Sequence, residues 1–408
     1  TAKLVQFNIE PLPLKAYHNI KEGNALRMEW GEVIAPEKLD FIMGNPPFVG
    51  YSLQNKAQKE DMLSIYVDEK GKPYKTAGKI DYVAAWYWKA SRLMQVNPAI
   101  KAALVSTNSI TQGEQVAAIW KPLFDRFGIH IDFAYRTFRW DSEADIKAHV
   151  HCVIIGFSVS GNNTKRIYIS DIQSIPSSNI NAYLIDAPDT WIDNRSKPLC
   201  NIPEMTTGNR PADGGHLIIE AEDYDEFIAK EPAAIPYIKK LLGSEEFINN
   251  KKRYCLWLVG VSPAELRKMP HVLKRIEACK LARESSPDAG RQKLAFTPHL
   301  FRETNNPDTF IVVPKVSSER RRYVPMGFLN KETISTDLNF IIPNASLYHF
   351  GVLTSTVHMA WMRVVCGRLK SDYRYSKDIV YNNFPWPNIS PSLEGRDGER
   401  FAAISRTA

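Results

Sequence analysis

A chain of 408 residues with 44% hydrophobic and 24% charged residues can form two or three real cores, and it is neither a disordered nor a membrane composition. No apolar run approaches the roughly 18–20 residues of a membrane span and no signal peptide is evident, so a cytoplasmic protein is expected. The net charge of +7 is unevenly placed: residues 1–200 carry 23 Lys/Arg against 21 Asp/Glu, residues 201–250 carry 4 against 10, and residues 251–408 carry 25 against 14. The basic excess of the last stretch suits a polyanion, or is simply a solvated surface. Five scattered cysteines, Cys152, Cys200, Cys255, Cys279 and Cys366, form no Cys-x-x-Cys pair. They support neither a metal site nor a disulfide framework, and reduced thiols are expected. The first residue is Thr1, so the chain is expected to be a piece of a longer protein.

In chain order, His18-Asn19-Ile20-Lys21-Glu22 leads into Gly23-Asn24-Ala25-Leu26, read as a strand that ends in a turn. Next, Asp40 to Phe48 reads as a short strand that stops in a rigid loop. Phe41, Ile42 and Met43 are a continuous apolar run, as in a strand covered on both faces. Gly44 lets the backbone turn. Pro46 and Pro47 fix φ and lack N–H donors, which holds Asn45 and Pro46 extended with carbonyls free to point outward. An amide, free carbonyls and the Phe48 ring suit a flat base carrying an exocyclic amine. The plainer reading is a Pro-rich loop without chemistry.

A polar run to about Lys79 reads as a loop in which Tyr51 could stack. Asp81 to Met94 reads as a helix with a bulky apolar face, Asp81 giving the start signal. Its aromatic stripe reads first as core. Ala102 to Val105 is a strand ending in Ser106-Thr107-Asn108-Ser109. Glu114 to Phe127 is a helix stopped by Gly128. Ile129 to Phe138 and His149 to Phe157 are two further strands. Ligands of open α/β sheets bind outside the carboxyl ends of strands. Asn24, Asn45 and Thr107-Asn108 all fall at such ends and are expected to share one crevice.

Residues 166–200 are rich in Ser, Asn, Asp and Pro and read as an exposed connector with one or two short strands. Residues 201–408 read as a second, α+β domain. It has a donor-rich loop Thr206 to Pro211, a strand near Leu217, helices at Glu222–Lys230 and Ala233–Leu242, and a strand from Cys255. A long helix over Pro263 to Arg283, strands at Phe310 and Leu338, and a helix over Phe350 to Cys366 complete it. Arg320, Arg321 and Arg322 beside Tyr323 could meet phosphates and base edges, or form a solvated turn. Gly367 to Ile379 interleaves Arg368, Lys370 and Arg374 with Tyr373 and Tyr375, a pattern that suits nucleic acid.

Asn45-Pro46-Pro47-Phe48 resembles motif IV of the amino-methyltransferases that act on adenine N6 or, less often, cytosine N4 in DNA. Gly23-Asn24-Ala25-Leu26 resembles motif III, and Asp81 to Ala90 resembles motif V. The Thr206–Pro211 loop and the Gly367–Pro387 tail resemble the target-recognition domain of single-chain type II restriction-and-modification enzymes of the MmeI-like group. The resemblance spans nearly the whole chain. It implies a partial class I, Rossmann-like methyltransferase sheet with a terminal antiparallel hairpin over residues 1–165, then a connector, then a DNA target-recognition domain over residues 201–408.

The resemblance further implies a site-specific DNA adenine-N6 methyltransferase using S-adenosylmethionine. Asn45, Pro46, Pro47 and Phe48 are its catalytic loop. Asn24, Ala25 and Asn45 meet the cofactor, and Arg210, Arg320, Arg321, Arg322, Arg368, Lys370, Arg374 and Tyr375 meet double-stranded DNA. No metal is implied. The Gly-x-Gly cofactor turn and the ribose-holding acid that precede motif III in this family are missing ahead of Asn24. The chain alone is therefore expected to be inactive, and cofactor binding belongs to the intact protein. The competing readings are a DNA-recognition module without catalysis and a methyltransferase for RNA or protein. The recognition sequence and the oligomeric state are not legible.

Overall fold

The computed structural model describes residues 20–141 and 149–387, which divide into two compact units: the described residues up to 111 with those of 115–191, and residues 112–114 with 192–387. The first is built on one six-stranded sheet. Its strands are β1 (Phe41–Gly44), β2 (Lys101–Thr107), β3 (His130–Asp141), β4 (His149–Ser158), β5 (Lys165–Ser170) and β6 (Gln173–Ser177), in the spatial order β1-β2-β4-β3-β5-β6. β1 runs parallel to β2, and β4 is antiparallel to both its neighbours. This is the expected partial methyltransferase sheet with its hairpin. β5 and β6 extend the sheet instead of forming a free connector, because β5 finds a parallel partner in β3.

One face of the sheet is packed. Ala102, Leu104, Phe157, Ile155 and Ala134 are buried with α2 (Ala84–Val96) and α3 (Gly113–Phe127), whose Tyr87, Trp88, Ile119 and Trp120 complete the core. Tyr87 stacks on Phe157 at 5.1 Å and meets Trp120 edge-on at the same distance. The opposite face is bare at its edge. Phe41 and Met43 are 65% and 82% exposed, which corrects the expectation of a strand covered on both sides. The pairing register carries this face across Met43, Ala103, Gly156 and Phe133. Gly156 is required there, since a Cβ would stand 2.1 Å from the Phe133 ring.

The run read as a loop after Phe48 contains α1 (Lys56–Ile65). Its signal was the pair Asn55 and Gln58, which cap each other's backbone N–H groups at 2.9 and 3.0 Å. The start of the strand expected before Gly23, with His18 and Asn19, lies outside the described residues, and Ile20 to Glu22 are not a strand.

The second unit has three small sheets. The first is β14 (Thr333–Ser335), β9 (Ile238–Leu242), β10 (Arg253–Leu256) and β8 (Ile218–Glu220). The second is β13 (Gly327–Asn330), β11 (Thr309–Pro314), β15 (Asn339–Pro343) and β7 (Thr206–Thr207), and the third is β12 (Val316–Ser317), β17 (Asp372–Arg374) and β16 (Gly367–Leu369). Ala233–Leu242, read as a helix, is a short 3-10 turn followed by β9. Pairing on both edges, to β14 and β10, overrides a weak local preference. The long helix breaks before Pro270, and the Phe350–Cys366 helix divides near Ser355, whose hydroxyl caps the second piece.

Two buried polar groups hold this unit together. Arg283 is fully buried and donates to five backbone carbonyls, of Pro211, Ala212, Leu294, Thr297 and Leu300, at 2.7–3.0 Å. His358 is also fully buried and shares a 2.9 Å hydrogen bond with the Tyr375 hydroxyl. All five cysteines are free. No helix among the described residues is long and apolar enough to cross a membrane.

Burial pushes the His358 imidazole down to about 3. The unfolded chain then takes a proton below its ordinary value near 6.5, which the folded chain refuses until about pH 3. Stability therefore rises with pH across that window and is fully present above it. The steepest slope is about 1.4 kcal/mol per pH unit. His358→Gln, which still offers Tyr375 a partner, should flatten the slope of urea-unfolding free energy between pH 4 and 6.

Candidate active site

A cleft of about 620 Å³ opens at the carboxyl end of β1. It is lined by residues of four segments: Gly23, Asn24, Ala25 and Trp30; Ile42 to Pro47; Tyr82 and Trp86; and Leu104 on β2. Asn24, Ala25, Asn45, Pro46 and Pro47 thus meet in one place. Phe48 is half-buried beside the cleft and is not part of its lining.

The bend after β1 divides its polar groups into used and unused. The Pro47 carbonyl accepts the Val49 N–H at 3.1 Å. The Pro46 carbonyl accepts nothing among the described residues, and the exposed Asn45 amide has no partner there either. Asn45 is exposed and Pro46 buried, and both line the cleft, so an unpaired amide and an unpaired carbonyl there are available to accept the hydrogens of an amine.

The first residues of the α2 segment hold this bend from behind. Asp81 is buried, and its carboxylate accepts the Tyr51 N–H at 3.0 Å and the Ser109 hydroxyl at 2.5 Å. The Tyr82 N–H donates to the Val49 carbonyl at 3.0 Å, and Gln54 donates to the Ile80 carbonyl at 2.9 Å. Asp81 is therefore a tie between loops and not the helix-start residue it was read as; the helix begins at Ala84 without a side-chain cap.

A second tie holds the Asn24 turn. The Asn24 side-chain oxygen accepts the Leu26 N–H at 2.9 Å, which stiffens the turn. Buried Asp61 accepts from the Tyr82 hydroxyl and from Arg27, both at 2.8 Å. Burial first, and then this bond, push the Tyr82 hydroxyl up to about 12, so it remains a neutral donor at any physiological pH. Trp30 donates to the Ala25 carbonyl at 2.8 Å, and Lys89 lies 5.5 Å from the Trp30 ring centre.

Thr107 and Asn108 do not join the cleft, contrary to the shared-crevice expectation. Thr107 bonds Ser109, which bonds Asp81, and Asn108 is buried. That strand end braces the site from outside. Trp30 was missed as lining, while Tyr82 and Trp86 belong to the segment that resembles motif V, whose aromatic stripe was read first as core. Tyr82 and Trp86, four residues apart, share one side of the segment with rings 5.3 Å apart, while Tyr87 and Trp88 point into the core. The aromatic stripe serves both purposes, and only the i, i+4 pair marks the cleft.

In the second unit, Arg320, Arg321 and Arg322 lie exposed on the turn after β12, and Arg374 is exposed on β17. Arg368 is half-buried over the Tyr373 ring at 4.4 Å and pairs with Glu319 at 3.6 Å. Lys370, exposed, takes a positive φ of 57° at the β16–β17 tip. Arg210 is half-exposed beside Glu303 and Asp337. Tyr375 departs from the expectation. It is buried against His358, so it supports the hairpin and offers no ring face to a base.

A strand-end cleft on a sheet with this strand order, followed by a separate α/β unit, defines a methyltransferase-type domain with a recognition unit attached. The chain belongs to the MmeI-like family: it matches the family described as MmeI, DNA-methyltransferase domain, over residues 2–169, and that described as MmeI, target recognition domain, over residues 186–388. It is similar to DNA methyltransferase A of Bacillus subtilis (strain 168), 42% identical over 382 residues, which are 93% of this chain and 43% of that protein. A solved structure of the type IIL restriction-modification enzyme MmeI in complex with DNA matches with a TM-score of 0.87 at 41% identity, over 98% of this chain and 53% of that one. The chain thus spans about half the length of the relatives it matches.

Asp61→Ala leaves the buried Tyr82 hydroxyl without its acceptor and should cost about 1–3 kcal/mol, measured by urea unfolding. Unchanged stability would show that Asp61 is not a tie.

Proposed function

We propose that this chain carries the methyl-transferring loop and the DNA-reading unit of a DNA adenine-N6 methyltransferase of the restriction-modification type, with double-stranded DNA as substrate. The carrying observation is the bend at the end of β1, where the unpaired Asn45 amide and Pro46 carbonyl stand at the mouth of a cleft. Asn-Pro-Pro-Phe in this place favours adenine over cytosine. The similarity to a protein named DNA methyltransferase A, and to MmeI in its complex with DNA, supports DNA over RNA or protein.

The methyl donor proposed is S-adenosylmethionine. The cleft lining fits its flat adenine end, with Ile42, Leu104 and aromatic rings as walls and the Asn24 and Ala25 turn as polar edge. Its described lining holds no carboxylate, the group that would grip the ribose hydroxyls and the ammonium most strongly. When bound, the donor supplies an electrophilic methyl group on sulfur. Every other step belongs to the protein. The Asn45 side-chain oxygen and the Pro46 carbonyl accept the two N–H groups of the target amine. This draws its lone pair out of conjugation and aims it along the transfer line. Phe48 stacks on the base once it has left the duplex, since the amine cannot be reached inside one. No covalent nucleophile is needed, and catalysis is orientation and charge placement.

A second reading is recognition without catalysis by this chain alone, favoured by a cleft whose described lining has no carboxylate. Calorimetry of S-adenosylmethionine with the isolated chain and with a full-length relative separates the two. In the full-length protein, Asn45→Ala should lower labelled-methyl transfer roughly a hundred-fold or more while duplex binding survives. Equal transfer by mutant and wild type removes Asn45 from this role. Neutralising Arg320, Arg321, Arg322 and Arg374 together should flatten the log–log salt dependence of duplex binding by up to about 3.6, at about 0.9 per phosphate contact.

A further inference from the structure

The basic residues of the second unit are not alike, and Arg210 differs most. Its backbone is stitched on every side. Its N–H donates to a Glu303 carboxylate oxygen at 2.9 Å, and its carbonyl accepts the Arg302 N–H at 2.9 Å. The preceding Asn209 is fully buried. Its side chain donates to the Asn305 and Ser335 carbonyls at 2.7 and 3.2 Å and accepts the Asn305 N–H at 2.7 Å. Gly208 lies so close to the 335–336 backbone that a Cβ would stand 2.2 Å from the Thr336 carbonyl oxygen. This segment cannot shift to accommodate a ligand.

The side chain has two acidic neighbours and, among the described residues, no hydrogen bond of its own. Its Nε is the guanidinium nitrogen nearest both carboxylates, 3.4 Å from Asp337 and 3.8 Å from Glu303. Neither terminal nitrogen has a hydrogen-bond acceptor among the described residues, and the side chain is 44% exposed. The two-pronged end is therefore unengaged, on a partly exposed side chain carried by a tied backbone. Two acids beside a guanidinium also cancel much of the potential that would draw a phosphate. Arg320, Arg321 and Arg322 have the opposite surroundings: an exposed turn and no carboxylate in ion-pair contact with their side chains among the described residues.

We infer that Arg210 reads a guanine edge by a two-pronged hydrogen bond, setting one position of the recognition sequence, whereas Arg320 to Arg322 contact phosphates. Paired N–H groups on a planar fork match the O6 and N7 acceptors of guanine in the major groove. A fork carried by backbone held in place loses less freedom on binding than one on a loose turn, which favours discrimination. The inference rests on the DNA-reading function proposed above.

The test is selection of duplexes from a sequence-randomised pool by the full chain and its variants, followed by salt titration on the winners. The wild type should enrich one motif. Arg210→Ala should enrich the same motif with one G·C position relaxed, discriminating there roughly ten- to a hundred-fold less, with an unchanged salt slope. Arg210→Lys keeps the charge and loses the fork, so it should relax the same position. Arg320→Ala should keep the motif and lower the slope by about 0.9. An unchanged motif in both Arg210 variants overturns the inference. So does a uniform loss of affinity with a reduced slope in Arg210→Ala. A wild type that enriches no sequence overturns the DNA-reading function and the inference with it.

Discussion

The carboxylate of Asp81 is the joint on which the cleft depends. A bend with two prolines cannot be tied down by its own N–H groups, because it has few to give. It must be held through the next residues of the chain and through the segment packed beneath it. Asp81 does both, taking the Tyr51 N–H with one oxygen and the Ser109 hydroxyl with the other. The neighbouring Tyr82 adds its backbone N–H to Val49 and its hydroxyl to Asp61. Two adjacent residues thus connect the bend, the end of β2 and α1. The amide and carbonyl left unpaired at the mouth are free to act because the groups around them are paired.

The second unit applies the same rule to cations. Its exposed charges ride on backbone that is held by buried polar groups. Arg283 gathers five carbonyls around the loop beyond Arg210, and the His358–Tyr375 pair sits under the β16–β17 hairpin. A buried guanidinium without a carboxylate partner is costly unless its donors are satisfied, and here all the bonds go to main-chain oxygens. The consequence is a stiff backbone near Arg210 and under the β16–β17 hairpin.

The bare face at β1 carries a different meaning. An open α/β sheet is ordinarily covered on both sides, and Phe41 and Met43 have the composition of a covered strand with the exposure of an uncovered one. The mismatch is confined to the edge strand, which pairs only with β2 among the described strands.

Much of this protein was legible in its amino-acid order. Runs of β-branched and apolar residues marked β1 to β4. Helical spacing marked α2 and α3, and the double proline after Gly44 marked the bend, because these signals are local and need no partner to be read. Local signals failed where pairing or burial decided. β9 is a strand because β14 and β10 flank it, and Tyr375 is interior because His358 waits beneath it. The division of one aromatic stripe into core and cleft wall, the release of Thr107 and Asn108 from the site, and the different surroundings of Arg210 and Arg320 were settled only by the tertiary structure. Each depends on residues far apart in the chain, and a sequence states which groups exist but not which of them meet.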